Sequence, residues 1–420
     1  MADTAIIGTE GFASHLQQVV AQLRSIAIRA LARMYRPREH LFAFRIRRTP
    51  DGDVLEGVSR RYTAVALIGL TTQPDEIATS ILAGQSTREM CGHLLEEISG
   101  STDLGEPALA LWAARSVGHP DASKVLHRLK SLDPVSGSWP TLELAWSLTA
   151  LTVPGHKSDA GDDGSSTDKT LADSIARRLL SSFSDRSCLF AHWPQDASSR
   201  WVRRHVSCFA DLVYPIQALS YYHRATGNPD ALEAAHRCAQ RMCQLQGPAG
   251  QWWWYYDVRT GRVVERYPVY SVHQDAMGPM ALFAVLDACR AKGRLKSASA
   301  DPVQPLRAGD TADTTISSPS VENAIARGLS WMSYSPEISG SLIDDQADLV
   351  WRKVARREPG KVSRRLQAVA SRIHPSFRVP GLGWLLPPIA VDYECRPYHM
   401  GWILHAWQTK QTLQGDIFRA

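Results

Sequence analysis

The chain alternates between two kinds of helical segment, and this alternation restricts its fold more than any other feature of the sequence. Six segments carry apolar residues on one face with helical spacing, and each is followed by a segment that is apolar on nearly every side. An amphipathic helix buries one face, whereas a helix that is apolar all round must be buried on most sides. Two concentric rings of helices satisfy both demands. The sequence therefore predicts an all-α fold, an (α/α)6 toroid of six helical hairpins.

The two classes of segment pair in chain order. The amphipathic segments are 12–35, 75–99, 121–132, 171–184, 230–245 and 321–332. The apolar segments are 59–72, 105–118, 141–151, 209–225, 274–292 and 398–407. The alternatives are an irregular helical domain and a helical-repeat solenoid, but a solenoid has more uniform repeat lengths than these. We expect one domain over residues 1–420, with the polar stretches 154–168 and 293–319 as mobile insertions.

Charge and cysteine content restrict the class of protein further. A net charge of +5 with 21% charged residues is mildly basic, so the placement of the charges is more informative than their sum. The first residues, MADTAIIGTEGF, do not have the pattern of a signal peptide, and no apolar run of about 18 residues predicts a transmembrane segment. Seven scattered cysteines fit reduced thiols. We expect a cytoplasmic protein that binds no metal and no cofactor; the sequence predicts no oligomeric state.

In a toroid of helical hairpins, every connection from an outer to an inner helix lies at the same end of the ring, which we name the mouth. These connections are 36–58, 100–105, 133–140, 185–207, 246–272 and 335–397. They hold many of the arginines and most of the clustered tryptophans, and the inner helices begin with polar residues. Arginine suits carboxylate and phosphate oxygens, and aromatic faces suit sugar rings or isoprenoid chains. The mouth is thus predicted to bind a small anionic ligand, and not nucleic acid, because the basic residues do not follow an exposed helix face.

The stretch 246–287 provides most of the candidate site residues. Asp275 is the first candidate for a general acid and Asp257 the second, because burial raises the pKa of such a carboxyl group. The other candidates for catalysis are His273, Asp392, Glu394, Tyr398 and His399. The candidates for substrate binding are Trp252, Trp253, Tyr256, Arg61, Tyr62, Arg266, Tyr270, Gln274 and Arg396.

Each of these candidates also has a structural interpretation. Asp257 could cap the turn before Thr260 and Gly261, and His273 and Asp275 could cap their helix. The three consecutive tryptophans cannot all face the mouth, so one or two of them would pack the connection onto the ring. Asp392, Glu394 and Arg396 could form a structural ion cluster.

A short acidic run offers one alternative site. Asp344, Asp345 and Asp348 resemble a metal–diphosphate aspartate motif, but such runs are common by chance and no second metal-binding motif follows. We therefore predict no metal there.

The run from Gln246 to Asp257 reads Q-x3-G-x-W-W-x3-D, and it resembles two superfamilies of toroids. One is the six-hairpin glycosidase-like group, especially the unsaturated glucuronyl and rhamnogalacturonyl hydrolases of glycoside hydrolase families 88 and 105. The other is the squalene–hopene cyclase and prenyltransferase group, which repeats Q-x3-G-x-W; Asp133, Gly137 and Trp139 form a degenerate second copy here. The resemblance implies an α/α toroid. The Trp-Gly-Arg-Gly-Asn-Gly signature of the glycosidases and the Asp-x-Asp-Asp motif of the cyclases are both missing.

The resemblance, the arginines and the aromatic residues together favour a carbohydrate-active enzyme that acts on an acidic, uronate-containing saccharide. Hydrolysis is the first expected reaction, followed by a lyase or epimerase reaction; the latter two are favoured if Tyr398 and His399 carry the proton chemistry. A terpenoid cyclase-like or prenyltransferase-like toroid that handles an isoprenoid is the alternative, and it predicts a metal at Asp344 and Asp345. A saccharide-binding toroid without catalysis, serving polysaccharide biosynthesis, is the second alternative.

Overall fold

The alternation of helix classes reappears as two rings of helices in a computed structural model of the chain. The structure describes residues 9–153, 166–195, 204–291, 318–358, 361–374, 376–387 and 390–408. The predicted insertions 154–168 and 293–319 lie outside the described residues, apart from 166–168 and 318–319, which belong to the first turns of two helices.

The inner ring consists of six apolar helices. In chain order they are Arg60–Leu70, Gly105–Ser116, Thr141–Thr152, Ala210–Thr226, Gly278–Ala291 and Pro397–Ala406. Each of them packs on the next along the chain, and the sixth returns to the first, so that the ring closes. Their side chains are buried on nearly every face, as apolar helices require.

The outer ring consists of the amphipathic helices. These are Thr9–Met34, the pair Asp75–Ile81 and Thr87–Glu96, then Ala122–Ser131, Ser166–Leu180, Pro229–Gln244 and Ser318–Ser333. The (α/α)6 toroid predicted from the sequence is therefore confirmed. No helix among the described residues is both long and apolar enough to cross a membrane.

Two predicted helices differ in detail. The segment 75–99 is broken after Ile81, because Ala83 and Gly84 take positive φ angles of 54° and 95° and Ser86 starts a new helix with a capping box. The fifth inner helix is preceded by a π-helical turn, His273–Met277, which widens the helix where it meets the mouth.

Glycines close the ring between its first and last inner helices. A Cβ atom on Gly69 would lie 2.3 Å from the carbonyl oxygen of Gly401, and a Cβ atom on Gly401 would lie 2.5 Å from the carbonyl oxygen of Val65. The two backbones approach so closely that only glycine fits at either position.

The connections at the mouth form small antiparallel sheets. One sheet joins Tyr35–Arg36, Leu41–Thr49, Gly52–Val58 and Glu394–Cys395. A second joins Val206–Cys208, Tyr255–Asp257 and Arg262–Glu265, and a third joins Val269–Tyr270, Lys353–Ala355 and Ala390–Asp392. Two-stranded pairs join Phe183–Ser184 to Leu189–Phe190 and Ile343–Asp344 to Leu349–Val350.

The last connection, which the sequence predicts to be a long loop over 335–396, contains two helices. The first, Val362–Ile373, we name the mouth helix, and the second is the short Leu382–Leu385. Such a long connection inside a compact fold is unusual without secondary structure of its own. The mouth helix packs against the strand Arg262–Glu265 and, together with the residue that precedes it, supplies three cations to a cavity at the mouth.

The seven cysteines, all of which lie within the described ranges, form no disulfide. Burial raises the pKa of the Cys91 thiol to about 12 and that of Cys395 to about 12. These two thiols stay protonated at neutral pH and act as small apolar side chains of the core.

Candidate active site

A cavity of about 460 Å3 opens at the mouth, enclosed by the first turns of the inner helices. All six inner helices or their leading turns contribute side chains to its wall. The apolar part of the wall is largely aromatic and consists of Tyr62, Trp146, Tyr214, Trp254, Tyr255, Tyr270, Tyr398 and Trp402. Its cations are Arg61, Arg352, Lys361, Arg364 and Arg365. Among the described residues, no carboxylate lines this wall.

Two of the five cations are already paired. Arg61 lies 2.5 Å from Asp103 and 3.5 Å from Glu143, and Arg352 lies 3.2 Å from Glu394. Lys361, which precedes the mouth helix, and Arg364 and Arg365 within it have no salt bridge to any described carboxylate. The proximity of Arg364 lowers the pKa of Lys361, and burial lowers it further. The cavity therefore holds uncompensated positive charge, which an anionic ligand would neutralise.

The aromatic side chains of the wall support one another. The rings of Tyr62 and Tyr398 lie 4.8 Å apart, and the rings of Trp254 and Tyr270 lie 4.9 Å apart. Arg396 donates a hydrogen bond of 2.7 Å to the Tyr62 hydroxyl, which fixes the ring at the wall. Packed rings of this kind lose little conformational freedom when a flat apolar face stacks on them.

Some polar atoms on the wall residues have no partner. The indole nitrogen of Trp254, the Nε of Arg352 and the Nδ1 of His273 are buried and without a hydrogen bond among the described residues. Unsatisfied buried polar groups are rare in proteins, because each costs about 1–3 kcal/mol. A polar ligand in the cavity could complete the hydrogen bonds of these wall atoms.

His273 and Tyr398 are the wall residues suited to proton transfer. Burial lowers the pKa of His273 well below its usual value, so that the imidazole is neutral. Its Nδ1 atom is buried and has no hydrogen-bond partner among the described residues, so this nitrogen is available to a ligand. Burial raises the pKa of Tyr398 to about 12, against the opposing charge of Arg352, so the phenol is protonated.

The structure brings five of the predicted site residues to the wall: Arg61, Tyr62, Tyr270, His273 and Tyr398. The first candidate for a general acid, Asp275, is not among them. It is fully buried behind the wall, where His399 Nε2 lies 2.8 Å and 2.9 Å from its two carboxylate oxygens. Burial raises the pKa of Asp275, and His399 only partly opposes this effect. The Asp275–His399 pair joins the fifth hairpin to the sixth.

The second candidate, Asp257, is also withdrawn from the cavity. Its carboxylate accepts hydrogen bonds from the backbone amide of Arg259 at 2.8 Å and from the Arg259 side chain at 2.7 Å. The same guanidinium donates to the carbonyl oxygen of Ser371 in the mouth helix at 2.7 Å. Asp257 thus caps its turn, the structural alternative, and anchors the mouth helix through Arg259.

Trp252, Trp253, Tyr256, Gln274 and Arg266 were predicted to bind substrate, but none of them lines the cavity. The Trp252 ring fills a slot between the inner and outer rings, where a Cβ atom on Gly278 would lie 2.6 Å from it. Gln274 donates to the Trp252 carbonyl oxygen at 3.2 Å and accepts from its amide at 3.0 Å. In this structure the connection uses these side chains to pack onto the ring, and their role in substrate binding stays a prediction.

The remaining residues of this group have packing roles of the same kind. The Tyr256 hydroxyl accepts a hydrogen bond from the Trp253 amide at 3.1 Å, and the Arg266 guanidinium lies 5.7 Å from the centre of the Trp253 ring. Neighbouring residues of a strand point to opposite faces, so Tyr255 lines the cavity while Tyr256 does not.

The motif Q-x3-G-x-W is structural as well. Gln246 Nε2 donates to the carbonyl oxygens of Gly250 at 2.7 Å and Ala324 at 2.8 Å, which ties the fifth hairpin to the outer helix of the sixth. Gly250 has a φ of 95° and no room for a Cβ atom, which would lie 2.1 Å from the Arg327 carbonyl oxygen.

Asp392, Glu394 and Arg396 form the structural ion cluster. Glu394 pairs with Arg45, with Arg352 and, at 2.8 Å, with Arg396, while Asp392 pairs with Lys353. Burial raises the pKa of Glu394, but the hydrogen bond and charge of Arg396 and the charges of the other two arginines outweigh it, so the pKa lies below its usual value. Glu394 is therefore ionised and is unsuited to act as a general acid.

Lys361, Arg364, Arg365 and Glu143 were not among the site residues predicted from the sequence. The spacing of the three cations within a helical stretch was the available signal, but it lay inside a connection predicted to be a loop. Glu143 lies beside the wall residue Arg61 at the start of the third inner helix. Burial raises the pKa of Glu143, and this makes it the carboxyl group near the cavity best suited to hold a proton.

The acidic run does not form a shared site. Asp344 accepts from Arg48 at 3.0 Å, Asp345 from Gln22 at 2.7 Å, and Asp348 from Arg29 at 2.8 Å. Three separate partners satisfy the three carboxylates: Arg48 from the strand Leu41–Thr49, and Gln22 and Arg29 from the first outer helix.

One other group among the described residues has the side chains that could hold a metal. The ligand atoms of His192, Cys208 and Asp211 lie within 4.8 Å of one another. Asp211 already accepts from the Cys208 amide at 2.9 Å and bonds His192 Nδ1 at 3.0 Å. Burial raises the pKa of Asp211, but the charge and hydrogen bond of His192 outweigh it and the pKa is lowered, so these groups satisfy one another.

No protein-family model matches the chain, and no curated protein matches it in sequence. Solved structures are similar to it in fold. An unsaturated glucuronyl hydrolase specific for heparin is 12% identical, with 93% of this chain and 95% of that chain covered and a TM-score of 0.53. The unsaturated glucuronyl hydrolase of Bacillus sp. GL1 is 14% identical, with the same coverage and a TM-score of 0.52. The cellobiose 2-epimerase of Bacillus thermoamylovorans B4167 is 9% identical, with 94% and 99% covered and a TM-score of 0.55. These similarities concern the α/α toroid itself.

Proposed function

We propose that this protein is a carbohydrate-active enzyme that binds an acidic, uronate-containing saccharide in the mouth of the toroid. One observation carries the proposal. The cavity wall combines the unpaired cations Lys361, Arg364 and Arg365 with a nearly continuous aromatic surface. Guanidinium and ammonium groups bind the carboxylate of a uronate, and aromatic rings stack on the apolar faces of sugars. The volume of about 460 Å3 is within the usual range for small-ligand sites, roughly 300–1,000 Å3.

The wall favours proton transfer next to the sugar carboxylate over hydrolysis. Cations around the carboxylate stabilise the charge that develops when the proton on the neighbouring carbon is removed. His273, neutral and with a free Nδ1, is the candidate base, and the protonated Tyr398 is the candidate acid. In an elimination, the base takes the carbon-bound proton, the carbon–oxygen bond of the leaving sugar breaks, and the acid protonates the departing oxygen. In an epimerisation, the proton returns to the opposite face.

Hydrolysis is the second candidate reaction, and Glu143 is the observation that favours it. Glycoside hydrolysis usually uses two carboxyl groups, one of them protonated. The raised pKa of Glu143 suits it to be the protonated carboxyl group. The other two carboxylates expected from the sequence, Asp275 and Asp257, do not line the cavity. The solved toroids of similar fold are named as uronate hydrolases and as a sugar epimerase, so the fold supports saccharide chemistry without choosing between reactions.

The isoprenoid alternative retains one supporting observation, the aromatic wall. Its second requirement was a metal held by Asp344 and Asp345, and these carboxylates bond to Arg48 and Gln22 away from the cavity. The alternative of a saccharide-binding toroid without catalysis predicts binding without product.

Product analysis tests the proposal. The purified protein is incubated with uronate oligosaccharides, and the products are identified by mass spectrometry and ultraviolet absorbance. An unsaturated uronate indicates elimination, a product of unchanged mass but altered configuration indicates epimerisation, and a saturated product with a new reducing end indicates hydrolysis. A Glu143→Gln variant separates the reactions further, because it should abolish hydrolysis only. Binding and turnover of prenyl diphosphates, with no effect of uronates, would contradict the proposal.

A further inference from the structure

Unlike the described helices of the two rings, the mouth helix exposes its apolar side to solvent. Val362, Leu366, Val369 and Ile373 follow one another at intervals of four, three and four residues, which places them on one stripe. Leu366 and Val369 are each 49% exposed and Ile373 is 83% exposed. The following segment adds the exposed side chains of Phe377 and, in the short helix Leu382–Leu385, of Leu385 and Trp384, the last of which is 85% exposed. We name these seven side chains the docking face.

The polar side of the same helix is buried and held in place. Gln367 Nε2 donates to the Phe377 carbonyl oxygen at 2.7 Å, and Gln367 Oε1 accepts from the Val379 amide at 3.0 Å. His205 Nε2 lies 3.0 Å from the Ser371 hydroxyl. Rotating the helix to bury its apolar stripe would break these bonds, so the exposure of the docking face is built into the packing of the mouth.

The charge of this segment restricts what can cover the docking face. No aspartate or glutamate occurs between Glu358 and Asp392. The same segment carries the cations Lys361, Arg364, Arg365, Arg372 and Arg378. A partner must therefore offer apolar contacts together with negative charge. A second copy of the chain docked through the same face would bring positive charge against positive charge, which is unfavourable.

We infer that the docking face binds the surface of an anionic lipid bilayer. An amphipathic helix whose apolar side carries leucine, isoleucine and aromatic residues, flanked by arginine and lysine, is suited to lie in the plane of the lipid headgroups. Tryptophan favours that interface, and basic residues near an anionic surface add electrostatic attraction. An exposed apolar patch of this kind is otherwise a liability for a protein in water.

Membrane docking would also hold the cavity next to the lipid surface. Lys361, Arg364 and Arg365 belong to the same segment and line the cavity wall, so the mouth opens beside the docking face. If the proposed function holds, the acidic saccharide reaches the mouth at a lipid surface, which suits a saccharide carried on a lipid. This consequence rests on the proposed function, whereas membrane binding itself does not.

Vesicle sedimentation of the full chain tests the inference. The protein is mixed with vesicles of phosphatidylcholine alone or with phosphatidylglycerol added. We expect cosedimentation with the anionic vesicles and a decrease at high salt. The variant Leu366→Glu/Ile373→Glu should bind at least about tenfold more weakly. Tyr334→Glu is the matched control, because Tyr334 is 59% exposed but lies outside the docking face, and it should bind as the wild type does.

Leu366, Ile373 and Tyr334 are all exposed, so circular dichroism should show unchanged melting temperatures for the variants. Quenching of Trp384 fluorescence by brominated lipid gives a second measure of binding, and this quenching should be absent in the Trp384→Phe variant. Failure of the wild-type chain to bind anionic vesicles would overturn the inference. The inference would also be overturned if the Leu366→Glu/Ile373→Glu variant bound these vesicles as well as the wild type does. A wild-type dimer that these substitutions dissociate would likewise overturn it, because a second copy of the chain would then cover the docking face. None of these outcomes bears on saccharide turnover, which is measured separately with a soluble substrate.

Discussion

At the scale of single residues, Tyr398 and His399 are neighbours in sequence with different environments. Tyr398 reaches the cavity wall, whereas His399 turns inward to Asp275. The sequence grouped the two as one catalytic candidate, because a polar pair at the start of an inner helix gives no information about which side chain faces the cavity. Only the rotation of that helix, set by packing against its neighbours, distinguishes them.

Tyr398→Phe should remove the proposed acid without removing the aromatic ring. We expect kcat to fall by about 100-fold or more while KM changes little, because general acid catalysis contributes roughly 10²–10⁴-fold. Steady-state kinetics on the substrate identified by product analysis measure both. An unchanged kcat would exclude Tyr398 as the acid. Tyr334→Phe serves as the control, because Tyr334 is exposed and does not line the cavity.

Asp275→Asn should act on stability. The substitution weakens a buried, charge-assisted hydrogen bond to His399, so we expect the free energy of unfolding to fall by about 2–3 kcal/mol. Urea titration measures this, and Asp51→Asn in an exposed turn is the control. Full stability combined with complete loss of turnover would contradict the structural role and restore Asp275 as a catalytic residue.

His405 should make stability depend on pH. It lies between Trp112 and Trp402, with ring centres 5.4 Å and 5.6 Å away, and burial lowers its pKa from 6.5 to about 4. A histidine with a lowered pKa binds its proton more weakly in the folded state. Stability is therefore fully present above pH 6.5 and decreases toward pH 4, by about 3 kcal/mol at most.

Urea titrations across this pH range test the prediction. His405→Leu should reduce the pH dependence of unfolding, whereas His127→Leu, on an exposed helix face, should leave it unchanged. Identical pH dependence in wild type and His405→Leu would show that the histidine is not desolvated as the structure indicates.

At the scale of elements, the seam between the first and sixth inner helices depends on glycine. Gly401→Ala places a methyl group 2.5 Å from the Val65 carbonyl oxygen, and backbone cannot move aside as a flexible side chain can. We expect a loss of about 1–3 kcal/mol or more in the free energy of unfolding. Gly100→Ala is the control, because no atom lies within 4 Å of the added methyl group. A stable Gly401→Ala protein would mean that the seam is looser than described.

The sequence predicted the helices of both rings because their apolar periodicity is a local property that survives packing. It did not predict the break at Ala83 and Gly84, where two residues of positive φ interrupt an otherwise continuous pattern. It also placed the mouth helix inside a loop, since a helix that buries serine, arginine and glutamine and exposes valine and leucine does not have the pattern of a core helix.

At the scale of the whole molecule, the toroid was predictable and the chemistry of its mouth was only partly so. The sequence indicated that arginines and aromatic residues gather at one end of the ring. It assigned Trp252 to the ligand because it could not show that Gly278 and Gly328 leave a slot for that ring between the helices. Contacts between residues far apart in the chain decide which aromatic side chains face the cavity, and one sequence does not contain them.

The central claim is that the mouth recognises the negative charge of a saccharide, and isothermal titration calorimetry of a matched ligand pair tests it most directly. A uronate oligosaccharide is compared with the same oligosaccharide after reduction of its carboxylates to alcohols. We expect the acidic ligand to bind at least about tenfold more tightly than the reduced one. Arg364→Ala should remove most of that preference, because a hydrogen bond to a charged group contributes about 1.5–3 kcal/mol. Equal affinities for the two ligands, or no binding of either, would contradict the account.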